Sequence, residues 1–256
     1  MGEAKPASLS LLARQLVEQG ENRGTRLRLI GSIAIRERCG GDASIFTRLD
    51  REPPIDIDLV GYARQRLQIS QMFKELGYRL DATIAQSQEW GIQRLIYYAP
   101  DTDAKVDIFL DVLRMSHTID FRNRLSPGTL TVAPADLLLA KLQVVKITEK
   151  DLKDIAVLLL THQFGEGPDA IDITYLVRSL SDDWGLYHTA LNNLRHVGSW
   201  MQQVERLTAA ESATIRARVS QLSALAEASP KSLGWRLRAT IGPRMQWYEE
   251  VGEVER

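Results

Sequence analysis

The stretch Ile55-Asp56-Ile57-Asp58-Leu59-Val60 constrains this chain more than any other. Acidic and aliphatic residues alternate, and an extended chain points successive side chains to opposite faces. Ile55, Ile57 and Leu59 therefore share one face, which asks for a core, while Asp56 and Asp58 share the other. At a rise of about 3.3 Å per residue the two carboxylates lie roughly 6.6 Å apart at Cα. They repel each other, and Asp is disfavoured in strands, so the pair calls for something positive beside it. A hard divalent cation that takes oxygen ligands would serve. A D-x-D motif alone also describes an exposed strand face or a turn with Asp caps, so its meaning depends on its flanks.

Upstream, Leu9, Leu11, Leu12, Leu16 and Val17 have helical spacing over Ser8 to Glu18, ending at Gly20. Leu27, Leu29 and Ile30 then read as a buried strand that runs into Gly31-Ser32, and Ile33 to Cys39 continues as a helix. Such a strand–Gly-Ser–helix turn brings backbone N–H groups and a hydroxyl to a helix N-terminus, an anion site that glycine lets a phosphate approach. The same residues also describe a tight turn with Ser32 as N-cap. Gly40 to Pro54 reads as a polar loop leading into the acidic strand.

Downstream, Arg64 to Leu76 fits a helix, and Tyr78 to Ile84 and Ile92 to Ala99 fit strands. Asp101-Thr102-Asp103 reads as a hairpin turn, with Lys105 to Asp111 as the returning strand. There Val106, Ile108 and Leu110 share one face, and Asp107, Phe109 and Asp111 the other. If the two acidic strands are neighbours, Asp107 joins Asp56 and Asp58 as a third carboxylate. Taken alone it is equally a solvent-facing hairpin residue.

The order strand, Gly-Ser, helix, then aliphatic-D-aliphatic-D-aliphatic, then a later aliphatic-D-aliphatic strand resembles the nucleotidyltransferase superfamily that includes DNA polymerase beta. The resemblance covers roughly residues 26 to 111. It implies an α/β (α+β) fold, a mixed sheet flanked by helices, with Gly31 and Ser32 holding a nucleoside triphosphate. It also implies that Asp56, Asp58 and Asp107 are catalytic and bind two magnesium ions, with manganese as the alternative metal. Asp111 is the weaker candidate and reads as structural.

From Val132 onward the pattern is helical. Ala133-Pro134-Ala135-Asp136 opens a helix with proline in its first turn, and Leu138, Leu142 and Val145 form its apolar stripe. Lys141 sits on the edge of that stripe, where a charge is unexpected; it either binds phosphate or snorkels over an apolar surface. With the following Lys150-Asp151-Leu152-Lys153-Asp154-Ile155, this region is similar to that of abortive-infection type nucleotidyltransferase toxins. That branch usually has arginine where this chain has Lys150, so bidentate guanidinium contacts are lost there. The resemblance implies a nucleotide-binding Lys141. It also implies ATP or another nucleoside triphosphate as donor, RNA such as tRNA or a protein as acceptor, and a cognate antitoxin as partner. Lys150, Asp151 and Asp154 read equally as a salt-bridged helix surface.

The expected division is a catalytic domain over 1–132 and a helical domain over 133–256. In the latter, Ile171 to Leu180, Trp184 to Val197 and Ser212 to Ala228 read as helices, and the scattered tryptophans as core anchors. The basic residues Lys231, Arg236, Arg238 and Arg244 read as a solvated face, cancelled by the glutamates that follow.

A formal net charge of −1 over 256 residues gives no overall pull towards polynucleotide or anionic membrane. A single cysteine, Cys39, excludes an internal disulfide and fits a reducing compartment. No apolar run reaches the roughly 20 residues of a membrane span, and the first residues lack a signal-peptide core, so a cytoplasmic location is expected. The family resemblance implies two function classes. One is a magnesium-dependent transfer of a nucleoside monophosphate to an acceptor hydroxyl on RNA, protein or a small molecule. The other is an inactive protein of the same fold that binds a nucleotide or a partner as a regulator.

Overall fold

The computed structural model describes residues 6–39, 43–81 and 93–250. They group into two compact units. One runs to Glu37 and resumes over Pro53–Leu113 and Ile119–Val132; the other is built from Arg38–Glu52, Arg114–Thr118 and Ala133 onward.

In the first unit, α1 (Pro6–Asn22) leads to β1 (Leu27–Ile30), which passes directly into α2 (Gly31–Arg38). Then come β2 (Ile57–Gly61), a 3-10 turn (Ala63–Gln65), α4 (Arg66–Glu75), β3 (Arg79–Leu80), β4 (Arg94–Tyr98) and β5 (Lys105–Leu110). The sheet has the order β1-β2-β5-β4-β3. Only β2 and β5 run parallel; the other neighbours are antiparallel. This mixed sheet with flanking helices is the expected fold class. The strand read over Tyr78 to Ile84 is only Arg79–Leu80 within the described residues, and 82–92 lie outside them.

The two sheet faces follow from residue parity. Leu29, Ile57, Leu59, Val106, Ile108 and Leu95 form one face and have no more than trace exposure. Helix α4 covers it: Phe73 stacks on Tyr97 with ring centroids 4.4 Å apart, and a Cβ on Gly61 would lie 3.1 Å from Ile69. The opposite face carries Asp58, Asp107 and Arg94. Next to β1, Leu29 exchanges backbone hydrogen bonds of 3.0 Å with Leu130 and Val132, which covers its outer edge. The fully buried Arg28 ties the same segment down through the Ser126 carbonyl.

Ile55 departs from the sequence reading. The strand begins at Ile57, and Ile55 is 58% exposed ahead of it. The double proline at Pro53-Pro54 cannot donate to a ladder, so pairing starts later than the alternation suggests.

The second unit holds α3 (Ser44–Arg48) within the segment read as a loop, and then α5 (Pro134–Leu142), α6 (Glu149–Thr161), α7 (Ile173–Asp182), α8 (Trp184–Trp200), α9 (Ala209–Ala228) and α10 (Leu233–Ile241). A hairpin of β6 (Val112–Arg114) and β7 (Thr118–Asp120) forms a separate two-stranded sheet. The helix starts are set by side chains that accept orphan N–H groups. Asp172 accepts from Tyr175, Asp183 from Leu186 and Ser232 from Trp235. Thr148 with Asp151, and Thr208 with Glu211, form capping boxes.

Candidate active site

Asp58 and Asp107 are directly paired in the parallel β2–β5 ladder, so their Cα atoms are about 4.8 Å apart and both side chains lie on one face. Asp58 is half-buried, and Asp107 is buried with 2% exposure. Asp56 lies in the bend that precedes β2 and is half-buried.

β1 supplies the next part. Its last residue, Ile30, pairs with Asp58, and the chain turns there into α2 through Gly31. Gly31 has φ +72, and a Cβ on it would lie 2.3 Å from Asp58 Oδ2. Glycine is therefore required twice, for the left-handed backbone and for the close approach of the carboxylate. The N-terminus of α2 thus opens beside Asp58, with Ser32 in its first turn.

Two cations that the sequence reading did not single out share this face. Arg94 Nε donates to Asp107 Oδ1 at 2.8 Å and its Nη2 donates to Oδ2, a bidentate pair. Lys105 Nζ is 3.2 Å from Asp107 Oδ2. The guanidinium lies 5.2 Å over the Phe109 ring. Its pKa is raised by the hydrogen bond to Asp107 and, against the opposing effect of burial, by the charges of Asp107 and Asp58. The register explains the meeting: Arg94 lies opposite Phe109 and Ile96 opposite Asp107, so Arg94 is the diagonal neighbour of Asp107 on one face.

Among the described residues, no three or more His, Cys, Asp or Glu side chains are grouped to hold a metal ion. The donor chemistry nevertheless suits a hard cation, since the Asp58 and Asp107 carboxylates lie on one sheet face beside the start of α2. What stands against immediate loading is that Arg94 and Lys105 already engage Asp107. Asp111 is not part of this group. It has φ +62 just past β5, and its Oδ1 accepts the Ala63 N–H at 3.0 Å, a structural role.

Lys141 belongs to the second unit, in a buried charge network. Its Nζ is 2.8 Å from Asp151 Oδ1 and 2.9 Å from Asp154 Oδ2. Arg51 Nε reaches the other Asp154 oxygen at 2.8 Å. Burial alone would lower the Lys141 pKa, but Asp154 and Asp151 outweigh it and raise it, so the group is a cation at any physiological pH. Asp151 is likewise held below the usual carboxylate range: burial works against it, and Lys141 and Thr148 overcome that. Lys150 pairs with Glu52, and Lys153 Nζ donates to the Asp50 carbonyl at 2.9 Å. These helix charges thus hold residues 50–52.

Two of the basic residues in the last part of the described chain, Lys231 and Arg238, bind backbone. Arg238 donates to the Gly242 and Met245 carbonyls and lies over the Trp184 ring, while Lys231 donates to the Ser229 carbonyl. Trp184 is buried and stacks on His188, as a core anchor does. No helix among the described residues is long and apolar enough to cross a membrane.

No family model and no curated protein sequence matches the chain. Several solved structures resemble it. The lincosamide antibiotic adenylyltransferase LnuA, in its lincomycin-bound form, is 16% identical with a TM-score of 0.42, over 58% of this chain and 94% of that one. ANT(2")-Ia in complex with adenylyl-2"-tobramycin is 13% identical with a TM-score of 0.40, over 59% and 87%. An antigenic nucleotidyltransferase-like protein from Paracoccidioides brasiliensis is 13% identical with a TM-score of 0.42, over 88% and 95%. The neighbours are thus nucleotidyltransferases or nucleotidyltransferase-like proteins, too distant for their substrates to be argued across.

Proposed function

We propose that the protein is a magnesium-dependent nucleotidyltransferase that moves a nucleoside monophosphate from a triphosphate to an acceptor hydroxyl on RNA such as tRNA, on a protein or on a small molecule. One observation carries this reading. Asp58 and Asp107 are register partners on one sheet face, and Asp58 packs on the glycine that opens a helix N-terminus. An acidic pair and an anion-binding turn are the two halves that phosphoryl chemistry needs side by side.

In this reading Gly31 N–H and the Ser32 hydroxyl bind phosphate oxygens at the α2 N-terminus. Magnesium, held by the carboxylates of Asp56, Asp58 and Asp107, would supply charge neutralisation and lower the pKa of the acceptor hydroxyl. Asp107 would take up the acceptor proton, directly or through solvent, once released from its cations. Lys141 is assigned to the nucleotide as a further cation, and a cognate antitoxin is the proposed protein partner.

The occupation of Asp107 by Arg94 and Lys105 favours a second reading, a regulator that binds nucleotide or a partner through Gly31-Ser32 without transfer. Incubation of the pure protein and magnesium with each labelled nucleoside triphosphate, offered total RNA and protein as acceptors, separates the two. Label transferred to one acceptor class supports the enzyme. Retention of nucleotide with no transfer under any combination supports the regulator.

A further inference from the structure

The charge of Asp107 is met by two cations of its own sheet face, Arg94 and Lys105. A carboxylate offers about four acceptor positions across its two oxygens. The Arg94 fork takes one on each oxygen, and Lys105 approaches Oδ2 as well. Two cations thus face Asp107, and Asp58 adds a second carboxylate charge on the same sheet face. The pair is not a deep structural one. Asp107 is almost wholly buried, but the Arg94 and Lys105 side chains keep 30% and 32% exposure. Arg94 rests on the Phe109 ring, with solvent on its outer side into which the guanidinium can turn. The cation on this carboxylate is therefore replaceable, while the carboxylate itself is fixed in the β2–β5 ladder.

We infer that Arg94 is the resident counter-ion of Asp107 and competes with a divalent cation for the same carboxylate oxygens. This rests on the metal-site reading above and adds to it a built-in control. Free metal binds the nucleotide-free protein weakly, because it must first displace a bidentate guanidinium and then share the site with it. A metal that arrives on a triphosphate meets a different balance, since the phosphates give the released Arg94 a new anionic partner of the kind its fork suits. Lys105 shares the site but makes a single, longer contact, so Arg94 is the main competitor.

The test is a Mn2+ titration of nucleotide-free protein, read by calorimetry or by the paramagnetic signal of the free ion. Wild type, Arg94→Gln and Arg94→Lys are compared, each with and without Asp58→Asn, with a melting curve for every variant. Arg94→Gln should bind Mn2+ about tenfold or more tightly than wild type, the size expected for removing one nearby positive charge. Arg94→Lys, which keeps the charge but loses the fork, should fall between. Asp58→Asn should abolish the gain. In metal-free buffer Arg94→Gln should melt below wild type, and saturating Mn2+ should return more of the loss than it adds to wild type. Equal or weaker Asp58-dependent binding in Arg94→Gln overturns the inference while leaving the metal site in place. Absence of Asp58-dependent binding in every variant overturns both. Should Arg94→Gln not fold, Arg94→Lys decides alone: tighter than wild type supports the inference, equal or weaker refutes it.

Discussion

Gly31 concentrates the constraints of the site in one residue. Its φ of +72 and the 2.3 Å gap between a built Cβ and Asp58 Oδ2 make alanine wrong in two ways. The left-handed backbone costs a non-glycine residue about 1–2 kcal/mol. The clash falls on the end of a short side chain, so Asp58 moves aside rather than the sheet giving way. Gly31→Ala should therefore lose only about that much stability in urea denaturation but cut nucleotide transfer by at least tenfold. A variant as active as wild type would remove Gly31 from the site. The Gly-Ser turn, Asp58 and Asp107 are legible in the sequence, because period-2 alternation and a glycine at a strand end are local signals. Arg94 is not. Its place beside Asp107 depends on the register of the hairpin around residues 101–103, and a one-residue slip would put it on the other face.

At the level of elements, the long helices and the paired strands follow from periodicity, whereas the short ones do not. Five residues of α3 and three each of β6 and β7 are too few to show a period. The charges of α6 illustrate the same limit. Read along the chain, Lys150-Asp151-x-x-Asp154 fits a salt-bridged helix surface as well as a functional motif. In the fold Asp154 is buried, and with Asp151 it joins Lys141 on α5 to Arg51. Removing one member of a buried charge network costs about 3–5 kcal/mol, because the others are left uncompensated. Arg51 still pairs with Asp154 after Lys141→Ala, so the loss should be near the lower end, about 3 kcal/mol by chemical denaturation. The same variant, assayed for nucleotide affinity where it is folded, checks the phosphate role assigned to Lys141. A loss of several-fold is expected, and unchanged affinity would make the residue purely architectural.

For the whole molecule, the response to acid follows from carboxylates held below their ordinary range. Glu211 is the clearest: the Arg48 fork at 2.8–2.9 Å and the Thr208 capping box bring its pKa down to about 2. Asp151 is shifted in the same direction. A depressed carboxylate contributes stability above its unfolded pKa, about 4.5 for Glu211, and that stability is lost as pH falls towards the folded value. The melting temperature should therefore hold near neutrality and fall between about pH 4.5 and pH 2. Glu211→Gln should flatten part of that fall; because the pair is only partly buried, solvent screening should keep the change modest. An identical acid profile in wild type and Glu211→Gln would show that the Arg48 contact does not persist in solution.

If the Asp58–Asp107 pair performs metal-dependent transfer, Asp58→Asn should remove the activity and spare the fold. The substitution is nearly isosteric, so the metal-free protein should melt within a few degrees of wild type, with the Gly31 contact preserved in shape. Transfer of labelled nucleotide in magnesium should fall by orders of magnitude, since charge neutralisation at the phosphates supplies most of the catalysis in such reactions. The decisive measurement is magnesium-dependent transfer by wild type and Asp58→Asn at equal concentration, with both melting curves in hand. A folded, inactive variant beside an active wild type is the expected result. Transfer that survives Asp58→Asn undiminished would contradict it.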